Sequence, residues 1–303
     1  MPTRHVALLV VGVVAVSFSA IFIRLAEAPA LTIAFYRTGM AAAMLLPLVV
    51  LRRRREVRGL SRRQIGIALL AGAMLALHFA LWITSLSYTT IAASVVLVTT
   101  QPIFVATFSR VLFGERLFRA TLAGILVCLI GAAVVSGGDF GSPTRPRALE
   151  GDLLALAGAI TAAAYFVAGR RLRQEVSLLT YAALAYSTCA VVLFPVALLS
   201  GSQLAGFPAK TWGLFVLMAV VPQMLGHTVF NYLLKEVEAT VVAISVMGEP
   251  VGATLLALAI FGERPSATAL LGGVLILAGI YVAITSHARG RRVRPADVGV
   301  PVE

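Results

Sequence analysis

The sequence predicts an all-α membrane protein of ten transmembrane helices, arranged as two inverted five-helix repeats with the N- and C-termini cytoplasmic. Three observations predict it. The 303 residues are 59% hydrophobic and 13% charged, against about a quarter charged in a soluble domain, so charge is too scarce to coat a surface facing water. The apolar residues gather into runs near 20 residues long, the length a helix needs to cross a bilayer. The first half of the chain also returns, displaced by 148 residues, as its second half.

The spans fall at 6–26, 30–51, 65–86, 91–112, 120–137, 151–169, 178–199, 211–233, 239–260 and 267–286. The first imitates a secretory leader. Arg4 and His5 precede an apolar stretch, and Ser17-Phe18-Ser19-Ala20 stands where a small-residue cleavage site would. The stretch continues through Ile23 and many spans follow, so an uncleaved helix is expected. Turns such as Glu27-Ala28-Pro29 and 262–266 are too short for anything but antiparallel neighbours. Gly137 to Glu150, with Gly138, Gly141, Pro143 and Pro146, is the one long loop. It divides the chain into a first repeat, 1–137, a linker, 138–150, a second repeat, 151–286, and a basic tail, 287–303.

Charge fixes the orientation. A net charge of +12 would suggest a nucleic-acid partner in a soluble protein. Here the arginines come in bursts between spans, above all Arg52, Arg53, Arg54, Arg55, Arg58, Arg62 and Arg63. With the N-terminus inside, 19 Lys and Arg fall on cytoplasmic segments, and Arg145, Arg147, Lys210 and Arg264 on the other side. That asymmetry puts both termini in the cytoplasm and requires an even number of spans. Cys128 and Cys189 sit within apolar runs without ligand spacing, so they read as packing residues and not as a disulfide or zinc pair.

The repeat carries a mechanical consequence. At the 148-residue shift Phe113-Gly114-Glu115-Arg116 falls on Phe261-Gly262-Glu263-Arg264, Pro102 on Pro250, Gly124 on Gly272, Gly131 on Gly279, Pro47 on Pro195 and Phe18 on Phe166. Each half has an odd number of spans, so the second enters the membrane from the opposite side. Inverted halves are a recurring basis of alternating access, with the substrate site between them near mid-membrane.

These paired Gly-Glu-Arg turns each follow a proline-containing helix, Gln101-Pro102 or Glu249-Pro250, and precede a Gly-rich closing helix. In this the chain resembles the drug/metabolite transporter superfamily, specifically the ten-helix exporters built from two EamA-type domains. The resemblance runs from about residue 7 to 286. It implies export of amino acids, other metabolites or drugs across the bacterial cytoplasmic (inner) membrane. The stretch His78-Phe79-Ala80-Leu81-Trp82 is similar to the aromatic amino acid exporter branch.

Polar groups inside a bilayer are costly and turn towards a cavity or the bundle interior. His78 and Trp82, four apart, share a face of the third span and suit a zwitterion and an aromatic side chain. Gln223, His227 and Asn231 recur every four residues behind Pro222 and read as a cavity wall in the eighth. Glu249 is the only carboxylate in the middle of any span, and its mate is the neutral Gln101. Because a buried carboxylic acid costs less than a buried carboxylate, Glu249 is the proton-coupling candidate. Pro102 and Pro250 interrupt their helices. Ser94, Thr99, Tyr165 and Phe18 are further lining candidates. Arg37, about two turns inside the second span, could attract a substrate carboxylate, but the reading preferred is that it snorkels outwards or pairs with an acid. The glycine pairs Gly124/Gly131 and Gly272/Gly279 are assigned to tight packing.

No nucleotide-binding glycine loop, metal-ligand cluster or catalytic constellation is visible, so no cofactor, metal, nucleotide or catalytic residue is expected. The expected partners are a small-molecule substrate and the lipid bilayer, not nucleic acid, and a monomer suffices. The function expected is a secondary transporter exporting aromatic or other neutral amino acids and related small metabolites. The alternatives are a proton-coupled multidrug exporter and a membrane enzyme or lipid-handling protein.

Overall fold

The computed structural model describes residues 1–89, 91–114, 119–136, 147–262 and 267–292. All regular structure among them is helical, in chain order α1 (Thr3–Ala26), α2 (Ala30–Arg52), α3 (Arg54–Arg58), α4 (Arg62–Ser85), α5 (Ile91–Val98), α6 (Gln101–Phe113), α7 (Arg119–Ser136), α8 (Ala148–Arg173) and α9 (Leu178–Leu199). There follow α10 (Ala209–Met218), a π-helical segment (Ala219–His227), α11 (Thr228–Leu233), α12 (Ala239–Val246), α13 (Glu249–Phe261) and α14 (Ala267–Arg292). Among the described residues seven helices are long and apolar enough to cross a membrane, counting the continuous stretches Ala209–Leu233 and Ala239–Phe261 as one each; shorter apolar helices accompany them. Large apolar side chains such as Val10, Val50, Leu51, Leu126 and Leu199 face outwards, as they do where lipid is the solvent. The chain is a multi-pass integral membrane protein.

Local chemistry explains where helices start and stop. Ser61 caps α4 by accepting from the Gln64 N–H while the Gln64 side chain accepts from the Ser61 N–H, a reciprocal capping box. Ser177 starts α9 in the simpler form. Helices α6 and α13 open with Gln101-Pro102 and Glu249-Pro250. A proline in the first turn forfeits no intrahelical hydrogen bond. The prolines therefore begin helices instead of kinking them, and the expected spans 91–112 and 239–260 are each two helices, divided at Thr99-Thr100 and Met247-Gly248. Gly114 and Gly262 follow the ends of α6 and α13 at φ 63° and 69°, the left-handed conformation that ends many helices and that a Cβ disfavours. Residues Glu115, Arg116, Glu263 and Arg264 of the repeated turns lie outside the described residues, as do 137–146 of the linker and 293–303 of the tail.

The eighth expected span differs from expectation in another way. Pro222 has no N–H to give to the carbonyl four residues back, and the helix widens around it. The Thr228 N–H bonds the Gln223 carbonyl five residues earlier, the π-helical spacing. Met74, at the position of Pro222 under the 148-residue shift, sits in the unbroken α4.

Helix α7 packs along α14, α4 along α8, α2 along α9, and α1 against the π segment and α13. The glycine stripes explain the first of these. A Cβ on Gly124 would lie 2.7 Å from the Gly279 carbonyl oxygen, and one on Gly131 2.7 Å from that of Gly272. Cys128, between them, donates to the Ile276 carbonyl at 3.4 Å. The bounds of α5 and α12, and of α6 and α13, coincide residue for residue at the 148-residue shift.

Candidate functional site

A cavity of about 30 Å³ lies where α1, α4, α8, the π segment and the two broken helices meet. It has room for about two waters. Of the residues singled out by sequence, His78, Trp82, Thr99, Gln101, Tyr165, His227 and Glu249 line it. The breaks put Gln101 and Glu249 there as the first residues of α6 and α13. Both are almost fully buried.

The aromatic groups are ordered by contacts from opposite sides. The His78 ring stacks on Trp82 with centroids 6.0 Å apart and planes within 7°. Its Nδ1 donates to the Gly158 carbonyl at 3.0 Å, which turns Nε2 away from that bond. Gly158 suits this crossing of α4 and α8, since a Cβ there would already touch Trp82 at 3.4 Å. His227 lies 6.4 Å from His78, ring to ring, and 5.3 Å from Phe79. The Trp82 Nε1, His227 Nδ1 and Gln223 Nε2 atoms are enclosed and have no hydrogen-bond partner. Buried polar groups are normally paired, so the two of these that belong to cavity-lining residues, Trp82 Nε1 and His227 Nδ1, mark where a ligand or water is accommodated.

Behind this surface lies a second polar layer. Tyr165 donates to Asn231 Oδ1 at 2.9 Å, and Asn231 Nδ2 donates to the Tyr186 hydroxyl at 3.3 Å. Asn231 thus orients Tyr165 and does not itself line the cavity. Gln223 likewise faces Arg37, and the widened π turn is why the expected stripe of Gln223, His227 and Asn231 does not point one way. Ser94 exchanges a hydrogen bond with Ser85 at 2.6 Å, and Phe18 stacks on Phe22 with centroids 5.4 Å apart. Neither belongs to the cavity lining. Pro102 and Pro250 stand one residue behind Gln101 and Glu249 at the helix starts.

Arg37 corrects the sequence-based expectation outright. It does not snorkel but is fully buried. Its Nε donates to Gln223 Oε1 at 3.2 Å, its NH1 to Ser19 Oγ at 2.9 Å, and its guanidinium lies 4.1 Å over the Phe79 ring. Among the described residues no acid lies within ion-pair distance of it. The sequence reading also missed Ser19, Val98, Phe166, Phe230 and Val246, which line the cavity. A signal existed for two of them. Phe230 is the mate of Trp82 at the 148-residue shift, and Phe166 is that of Phe18.

Polar contacts close both ends of the bundle. At the end bearing the arginine-rich loop, Glu56 accepts from the Ser177 N–H at 2.6 Å, the Ser177 hydroxyl at 2.7 Å and the Thr180 hydroxyl at 3.0 Å. Partial burial pushes the Glu56 carboxyl up, but those hydrogen bonds, with the charge of Arg53, outweigh it and hold the group below the usual carboxylate range. His5 meets Glu236 there at 2.6 Å. At the other end Thr32 and Tyr36 donate to the Gln203 and Leu204 carbonyls at 2.7 and 2.6 Å. Among the described residues no three His, Cys, Asp or Glu are placed to hold a metal ion.

Comparisons with known proteins agree with this architecture. The EamA-like transporter family model matches twice, over residues 3–137 and 149–285. An uncharacterized transporter of Archaeoglobus fulgidus is 28% identical over 271 residues, covering 88% of this chain and 91% of the relative. The pseudopaline exporter of Pseudomonas aeruginosa is 27% identical over 73% of this chain and 74% of its own length. The biotin transporter of Escherichia coli is 25% identical over 81% of each. A solved crystal structure shares the fold with a TM-score of 0.79 at 21% identity, over 95% of this chain and 99% of that one.

Proposed function

We propose, on the premise that this chain belongs to the EamA-like transporter family, that it is a secondary carrier exporting neutral amino acids, aromatic ones included, and related small metabolites. It works across the bacterial cytoplasmic membrane by alternating access, as ten spans in two inverted repeats with both termini cytoplasmic. The supporting observation is that mates from the two halves meet in one cavity: Trp82 with Phe230, Val98 with Val246, and Gln101 with Glu249. A site shared by two related halves is released to one side or the other when the halves rock against each other. The cavity now holds only about two waters, so substrate entry requires that movement.

The groups suit the cargo. His78 and Trp82 offer a stacked aromatic surface, and the unpartnered Trp82 Nε1 and His227 Nδ1 offer hydrogen bonds. Discontinuous helices, α5–α6 and α12–α13, bring backbone polar groups to the same place, a recurring arrangement at transporter sites. Glu249 is the proton-coupling group and Gln101 its non-titrating counterpart. The test is uptake of a panel of labelled amino acids into proteoliposomes, with and without a pH gradient. Transport of neutral amino acids that the gradient accelerates is expected; no transport of any would sink the proposal.

A second reading, proton-coupled export of lipophilic cations, is favoured by the buried Glu249, which has no ion-pair partner among the described residues. In that case Glu249→Gln abolishes export of an ethidium-like cation. Retention of such export by the variant would count against it.

A further inference from the structure

We infer that Arg37 makes the site selective for substrates bearing a free carboxylate, and that Glu249 balances the Arg37 charge when no substrate is bound. This rests on the carrier reading above and names its substrate class. Arg37 is wholly buried, and the two partners of its Nε and NH1 groups, Gln223 and Ser19, are both neutral. A buried cation held only by neutral groups is costly. Ser19 lines the cavity, so the guanidinium lies one hydroxyl away from it.

The loose ends around it are of one kind. Arg37 fixes the Gln223 amide by taking its oxygen, which leaves Nε2 as an enclosed donor without a partner. Trp82 Nε1, also without one, can only donate. A cation and an unsatisfied donor behind the cavity wall, with a second such donor, Trp82 Nε1, in the wall itself, call for a ligand rich in acceptors, and a carboxylate supplies both the charge and the lone pairs. Glu249 lines the same cavity as Ser19, the hydroxyl that holds Arg37, and is the buried acid nearest to hand for its charge. With Glu249 ionised, the empty site is balanced internally. When a substrate carboxylate enters without an ammonium, a proton taken from water onto Glu249 keeps the charge of the cavity unchanged; a zwitterion, whose ammonium offsets its own carboxylate, leaves it unchanged with Glu249 still ionised. The titratable groups facing this pair are His78 from α4, Tyr165 from α8, Tyr186 and Cys189 from α9 and His227 from the π segment. From α1 come Ser17 and Ser19, and from α5–α6 Thr99 and Gln101, none of which titrates near neutrality.

Trp82 and Trp212 are the two tryptophans of the chain, so Trp212→Phe leaves Trp82 as the reporter. Its fluorescence is titrated in the purified protein with L-phenylalanine, 3-phenylpropionate and the amide of each, at pH 6 and pH 8. The acids are expected to bind at least tenfold more tightly than the amides, and 3-phenylpropionate more tightly at pH 6. Arg37→Lys keeps part of that preference and Arg37→Gln abolishes it. Glu249→Gln keeps the preference and removes the pH dependence, which separates its role from those of the histidines. Ser19→Ala, a milder change beside the guanidinium, weakens the preference and serves if Arg37→Gln fails to fold. Equal binding of acids and amides, a preference surviving in folded Arg37→Gln, or no response to any probe overturns the inference. Uptake of amides as fast as acids by the unaltered protein sinks this inference and leaves the carrier reading standing; acid-selective binding without transport does the reverse.

Discussion

The two broken helices are nearly copies in backbone and differ in chemistry at the one place where chemistry counts. Helices α5–α6 and α12–α13 have the same bounds at the 148-residue shift, the same proline in the second turn position and the same left-handed glycine at the end. Each sends a valine into the cavity, Val98 or Val246. Yet the residue that opens the second half-helix is Gln101 in one and Glu249 in the other. The lesson is a division of labour. On the carrier reading proposed above, duplicated backbone serves movement, which needs two similar arms, whereas coupling needs one titrating group and gains nothing from a second near Arg37.

The largest expected effect comes from restoring symmetry in the wrong direction. Gln101→Glu puts a second carboxyl into a cavity with one buried cation, and an uncompensated buried charge costs about 3–5 kcal/mol. The variant should melt well below the unaltered protein in detergent or fail to accumulate; unchanged thermal stability would break the comparison. Next is Pro222→Ala, which returns a backbone donor to the π segment and lets it resemble its mate α4. Turning His227 relative to Gln223 should slow transport by roughly tenfold, since small misplacements are expensive at a site, while the melting temperature holds or rises. Equal rates would show that the π turn is not part of the site.

Smaller effects sharpen the likeness of the arms. Gly114→Ala and Gly262→Ala each force a Cβ into the left-handed region, at about 1 kcal/mol apiece, and matched losses in thermal stability are expected. The smallest effect compares the two closures. The Glu56 carboxyl is held below its ordinary range, so its stabilising contribution is present at neutral pH and fades as pH falls through the depressed value. Glu56→Gln should therefore lower stability at pH 7 and flatten its acid dependence. Tyr36→Phe at the other end, where the bond runs to the Leu204 carbonyl, should lower stability by an amount that does not vary with pH between 4 and 7.

Much of this was legible in the sequence because it rests on coarse physics. The lipid solvent showed in the scarcity of charge, and the breaks at Gln101-Pro102 and Glu249-Pro250 showed in a repeated proline, though not that a new helix starts at each. His78, Trp82, Tyr165, His227 and Glu249 could be singled out because each is expensive in lipid. Arg37 was misread because an arginine two turns inside a span fits outward snorkelling equally well, and only the fold brings Ser19 and Gln223 to it. The π segment was hidden because Pro222 in an apolar run looks the same whether a helix kinks or widens. Ser19 was hidden because one small hydroxyl carries no signal until a cation is found beside it.

The central claim is that the cavity between the two broken helices opens alternately to each side of the membrane. Its most direct test uses the mates Val98 and Val246, each replaced singly by Cys in a background where Cys128 and Cys189 are Ser. A membrane-impermeant thiol reagent is applied from either side of sealed vesicles. Labelling of both positions from both sides, slowed by a transported substrate, is the result the account predicts. Labelling from one side only, or from neither, would contradict it.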